Sequence, residues 1–120
     1  LTAEPMLRRR GLEAMVREDL REVDFGDWTG HRWQEIQERF GVAAYDWLEI
    51  MERSGIPNGE SAVAVKARVG PCLLRILEEN AHRNVAVVCH GGIVRVALCL
   101  IRRWHRGRFR RGSRRRRPTW

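Results

Sequence analysis

Val85-Ala86-Val87-Val88-Cys89-His90-Gly91-Gly92-Ile93-Val94-Arg95 decides how this chain is read, because a valine-rich run delivers one histidine to two glycines and a second apolar run follows. About five apolar, β-branched residues bounded by turn formers predict a buried strand of a parallel sheet, and the longer run beyond the glycines predicts a helix. His90 then lies at the strand's carboxyl end, where open α/β sheets hold ligands, and the free N–H groups of the following helix favour a phosphate or carboxylate. Gly91 and Gly92 allow a close approach to the backbone. A histidine satisfied within an ordinary strand-to-helix turn is the plain alternative.

The 120 residues, 43% of them hydrophobic, suffice for one modest domain with a core. Charge divides the chain sharply. All 15 acidic residues and 13 of the 23 basic ones lie in residues 1–101, leaving that body at −2; the remaining 10 basic residues, with no acid, give residues 102–120 a charge of +10. The net +8 therefore describes the tail rather than the body. Cys72, Cys89 and Cys99 lack C-x-x-C spacing, which indicates neither a disulfide framework nor a zinc site and suits a reducing, cytoplasmic compartment. A Cys89–His90 thiol dyad is disfavoured because neighbouring strand residues face opposite ways. No secretory signal is visible, and the polar residues within 85–101 argue against a membrane span.

Along the rest of the chain, residues 2–10 predict a helix with Pro5 in its first turn and Gly11 at its end, and Leu12 to Val16 a short strand. Residues 20–30 predict an ordered loop held to the core by Phe25 and Trp28. Trp33, Ile36 and Phe40, then Ala43, Trp47, Leu48 and Met51, recur at helical spacing and predict two short helices with core aromatics. A loop at 54–59 leads through Glu60 and Ser61 into a long helix with the apolar stripe Val65, Val69, Leu73, Ile76 and Leu77, kinked or split at Gly70-Pro71. The helix after Gly92 is apolar nearly all round except at Arg95, so burial is expected of it. Arg102 to Trp120 is low-complexity and self-repelling, which predicts a disordered tail. Its arginines and interspersed aromatics could pair with the phosphates and bases of a nucleic acid; a frameshifted end of a GC-rich gene would read the same way.

Three groups of residues now stand in a familiar order: Leu20-x-Glu22-x-x-Phe25-Gly26-x-Trp28-x-Gly30, then Pro57-x-Gly59-Glu60-Ser61, then Val88 to Arg95. Over about residues 1–101 the chain resembles the histidine phosphatase superfamily, which includes the phosphoglycerate mutases. The resemblance implies an α/β fold of three α/β/α layers with a mostly parallel sheet, here incomplete. It also implies hydrolysis of phosphomonoesters through a phosphohistidine intermediate, with no metal and no cofactor. Glu22 matches the family's proton donor, and a carboxyl within hydrogen-bond reach of the departing oxygen lowers the barrier by sparing it alkoxide character. His90 matches the histidine that contacts the transferring phosphoryl group, with the Gly91 amide beside it. Glu60 and Ser61 match a loop bordering the pocket, although a helix-start role accounts for them equally well. Arg95 matches a frequent family position, its role left open.

The family's nucleophile lies in an Arg-His-Gly motif, and no such triplet occurs here; His31, His82 and His105 are each followed by Arg. Leu1-Thr2-Ala3-Glu4 resembles the helix after the family's second phosphate-binding arginine, so the first strand, the nucleophile and both clamping arginines are expected to be absent. The arginine tail stands in place of the final strand and helix. The resulting expectation is an inactive, marginally stable phosphatase fragment; the alternative is a non-catalytic module whose arginine tail contacts nucleic acid or another polyanion. A small phosphorylated substrate is the partner implied once the missing elements are supplied.

Overall fold

Helix signals in the sequence translate directly into elements. A computed structural model describes residues 2–112, with side chains through residue 105, and places five α-helices there: α1 (Glu4–Arg10), α2 (Trp33–Phe40), α3 (Trp47–Arg53), α4 (Ala62–Glu79) and α5 (Gly91–Gly112). Pro5 sits in the first turn of α1 and Gly11 closes it. At α2, the Arg32 amide donates to the Glu35 carboxylate at 2.8 Å, and Ser61 caps α4 by accepting from the Ala64 amide at 3.1 Å. Each cap satisfies a donor that the helix start leaves unpaired. Single 3-10 turns at Glu18–Leu20 and Gly26–Trp28 punctuate the long connection between α1 and α2.

One apolar cluster joins these elements. Trp47 and Met51 of α3, Val65, Val69, Cys72 and Leu73 of α4, and Ile93 and Val96 of α5 are all buried, together with Val23, Trp28 and Ile36. Burying each large aliphatic side chain contributes about 1.5–3 kcal/mol. Phe25 sets its edge against Trp47 at 5.2 Å and Trp33 at 6.1 Å, so it and buried Trp28 hold the connecting loop to the core as expected. Of the kink or split expected at Gly70-Pro71, the split is absent, since α4 runs through Pro71 as one helix. Buried Val69 and Gly70 on one side of the proline and Cys72 and Leu73 on the other pack into the same core, which offsets the missing hydrogen bond.

The three-layer fold with a mostly parallel sheet is not observed: no strand forms among the described residues. Neither Leu12–Val16 nor Asn84–Cys89 joins a ladder. A valine-rich sequence favours a pleated surface but becomes a strand only against a neighbour that accepts and donates its backbone hydrogen bonds. Val85, Val87 and Val88 stay 46%, 44% and 54% exposed, and Leu12, Met15 and Val16 are more exposed still. Burial of α5 is also incomplete. Ile93 and Val96 face the core, whereas Val94, Leu98 and Ile101 are exposed on the opposite side. Continuing through Gly112, α5 covers part of the stretch expected to be disordered; residues 113–120 of that tail lie outside the described residues. Among the described residues no helix is long and apolar enough to cross a membrane.

Candidate active site

Glu22 occupies an irregular segment between the two 3-10 turns, and that segment is stitched to the loop before α4. The Asp27 amide donates to the Pro57 carbonyl at 2.9 Å and the Glu60 amide to the Asp24 carbonyl at 2.8 Å. Asn58 Nδ2 donates to both Asp27 carboxylate oxygens, at 3.0 and 3.2 Å. Gly26, at φ +48°, lies so close to Pro57 and Gly59 that a Cβ there would overlap their backbone atoms. Glycine is required at that crossing both for its conformation and for its size.

This framework brings Glu22 to the N-terminus of α5. Its Oε2 accepts from the Gly92 amide at 3.3 Å across 70 residues of sequence, and its Oε1 accepts from the Val23 amide at 2.9 Å. A Cβ on Gly92 would overlap Oε1 and stand 3.1 Å from Cδ, so glycine is what lets the carboxylate reach the helix end. A negative group there is favoured by the free N–H groups and the helix dipole. The group that meets the Gly92 amide at the start of α5 is thus the chain's own Glu22 side chain. His90 is exposed and its carbonyl accepts from the Val94 amide at 2.9 Å, which puts the residue immediately before the helix; Gly91, also exposed, opens the helix. Burial, then the charge of Glu22, pushes the half-buried Cys89 thiol above its ordinary value, which disfavours the thiolate that a Cys–His dyad would need.

Glu60 and Ser61 lie in the loop beside this site, with roles in holding it. Ser61 is the cap of α4, and the Glu60 carboxylate is gripped at both oxygens by Arg68 of α4, with Nε and Nη2 at 2.6 and 2.7 Å. The hydrogen bond from Arg68 holds the Glu60 carboxyl below its usual range. Arg95 donates to the carbonyls of Tyr45 at 2.8 Å and Ala44 at 3.4 Å and lies over the Trp47 ring at 5.7 Å. It fastens α5 to the start of α3. Arg68 escapes the sequence reading altogether; its only sign there is an arginine bordering the apolar stripe of α4, eight residues after Glu60. Among the described residues no cluster of His, Cys, Asp and Glu could hold a metal ion.

Comparison with known proteins gives this geometry its context. The sequence profile of the histidine phosphatase superfamily, branch 1, matches residues 1–115. Over 101 residues the chain is 29% identical to the putative phosphoserine phosphatase 2 of Hydrogenobacter thermophilus, covering 84% of this chain and 48% of that protein. Phosphoserine phosphatase 1 of the same organism is 27% identical over the same shares. The adenosylcobalamin/alpha-ribazole phosphatase of Escherichia coli K12 is 32% identical over 101 residues, 81% of this chain and 48% of that protein. The chain therefore spans about half the length of the curated relatives it matches. No solved structure matches it.

Proposed function

Since the chain belongs to the histidine phosphatase superfamily, we propose that it supplies the proton-donating half of a phosphomonoester hydrolase site. The observation that carries this reading is the Glu22 carboxylate set against the Gly92 amide, beside His90 and Gly91. In this reading the phosphoryl group of a small phosphomonoester enters at the His90 imidazole and the Gly91 amide. A nucleophilic histidine, which no Arg-His-Gly motif of these 120 residues provides, attacks phosphorus, and the bridging P–O bond breaks. Glu22, protonated, passes its proton to the departing oxygen, and water then releases phosphate from the histidine. General-acid assistance of this kind is worth roughly 10²–10⁴-fold. The phosphatase names of all three relatives favour a hydrolase over a mutase.

By itself the chain is an inactive fragment in this reading, because Glu22 and His90 assist a covalent step whose nucleophile it lacks. The test is to supply an Arg-His-Gly strand with its phosphate-binding arginines, fused or as a separate polypeptide, and follow hydrolysis of an aryl phosphate. We expect no turnover without the supplied segment, turnover with it, and loss on His90→Ala or Glu22→Gln. Full activity of the restored enzyme after His90→Ala overturns the assignment of His90; turnover by the isolated chain overturns the missing nucleophile.

A further inference from the structure

Glu22 has no regular element of its own to hold it, since the segment around it is neither helix nor strand. Something rigid must fix it if its carboxyl is to meet a departing oxygen within hydrogen-bond reach. Arg68, two turns into α4, is placed to do so. A guanidinium has five N–H donors in one plane, and each of the five has an acceptor here. Nε and one Nη2 hydrogen go to the two Glu60 carboxylate oxygens at 2.6 and 2.7 Å, and the other Nη2 hydrogen goes to the Glu22 carbonyl at 3.2 Å. Both Nη1 hydrogens go to carbonyls, Asp19 at 2.7 Å and Arg21 at 3.0 Å. Glu60 in turn accepts from the Asp24 amide at 3.4 Å while its own amide donates to the Asp24 carbonyl. The backbone up to Glu22 is therefore tied directly to Arg68 on a rigid helix, and the backbone after it is tied through Glu60. With 10% and 11% of their side chains exposed, Arg68 and Glu60 make these bonds largely shielded from water.

We propose that Arg68, held by Glu60, is the positioning residue that aims Glu22 at the start of α5. The inference rests on the reading of Glu22 as proton donor but addresses a different fact, namely what keeps its carboxylate at Gly92. Lysine cannot substitute, because three donors on one nitrogen cannot reach five acceptors spread around a planar fork. Misplacement of a reacting group by about 1 Å costs on the order of 10²-fold in rate.

The experiment is an NMR titration of the full chain. With Glu22 Oε2 accepting from the Gly92 amide, that amide's shift should follow ionisation of the Glu22 carboxyl, and Glu22→Gln should abolish the response. In Arg68→Gln and Arg68→Lys, we expect the Gly92 response to fall at least threefold while the amides of α4 and α5 keep their dispersion. A Gly92 response of wild-type size in either folded variant overturns the proposal. If neither variant folds, the unmodified protein decides: a guanidinium with all donors engaged rotates slowly and gives separate Nη–H resonances for Arg68, whereas a single averaged resonance overturns the clasp. Failure of the proton-donor reading is seen elsewhere, as undiminished turnover by the restored enzyme carrying Glu22→Gln, and leaves this result unaffected.

Discussion

At the scale of single residues, the site depends on backbone atoms that come unusually close. Gly26 stands at positive φ against the backbone of Pro57 and Gly59, none of which can yield as a flexible side chain would. Gly26→Ala should therefore cost about 2–4 kcal/mol, combining a left-handed conformation with a backbone overlap; a urea midpoint within error of wild type would contradict the crossing. Glu60 makes a pH prediction. Arg68 holds its folded carboxyl below the ordinary value of 4.5, so on acidification the unfolded chain takes up the proton first. The contribution of Glu60 is present in full above about pH 4.5 and declines as pH falls through the lower folded value. Urea melts between pH 6 and 3 should show the wild type losing its advantage over Glu60→Gln across that window, and a constant difference would mean that Arg68 does not perturb the carboxyl.

At the scale of elements, α5 has two unlike faces and the difference is measurable. Ile93→Ala should cost about 2–5 kcal/mol, since Ile93 is fully buried, whereas Leu98→Ala should stay within about 0.5 kcal/mol because Leu98 is 55% exposed. Equal losses in chemical denaturation would show that the exposed face is packed in solution. The same helix shows where sequence is and is not sufficient. Helices were legible because their signals are local: Pro5 and Gly11 bound α1, Ser61 caps α4, and the spacing of Trp33, Ile36 and Phe40 marks a face. The sheet was not, because Val85 to Cys89 states only a preference and a strand needs a second chain segment beside it. Motif order singled out Glu22, His90, Gly91, Glu60 and Ser61, and of these the structure joins Glu22 to the end of α5 where His90 and Gly91 lie. Arg68 was not legible, because a side chain that serves three carbonyls carries no code for carbonyls, which every residue has.

At the scale of the whole molecule, apolar side chains remain at the surface: Val85, Val87, Val88 and Leu98 are all exposed. The chain should therefore bind a hydrophobic dye and associate as concentration rises, and Val87→Lys should reduce both; a dye-silent, monodisperse wild type would contradict the open surface. The guanidinium clasp also has a kinetic meaning. Its bond to the Glu22 carbonyl closes a span of 46 residues, whereas each helix forms from neighbours. Closing so long a span draws on entropy that only an already assembled α4 can offset, so helices come first and the clasp latches late. A late contact leaves the folding rate nearly untouched and governs how long the native state lasts, so loosening the latch shortens the lifetime of the site without slowing its birth.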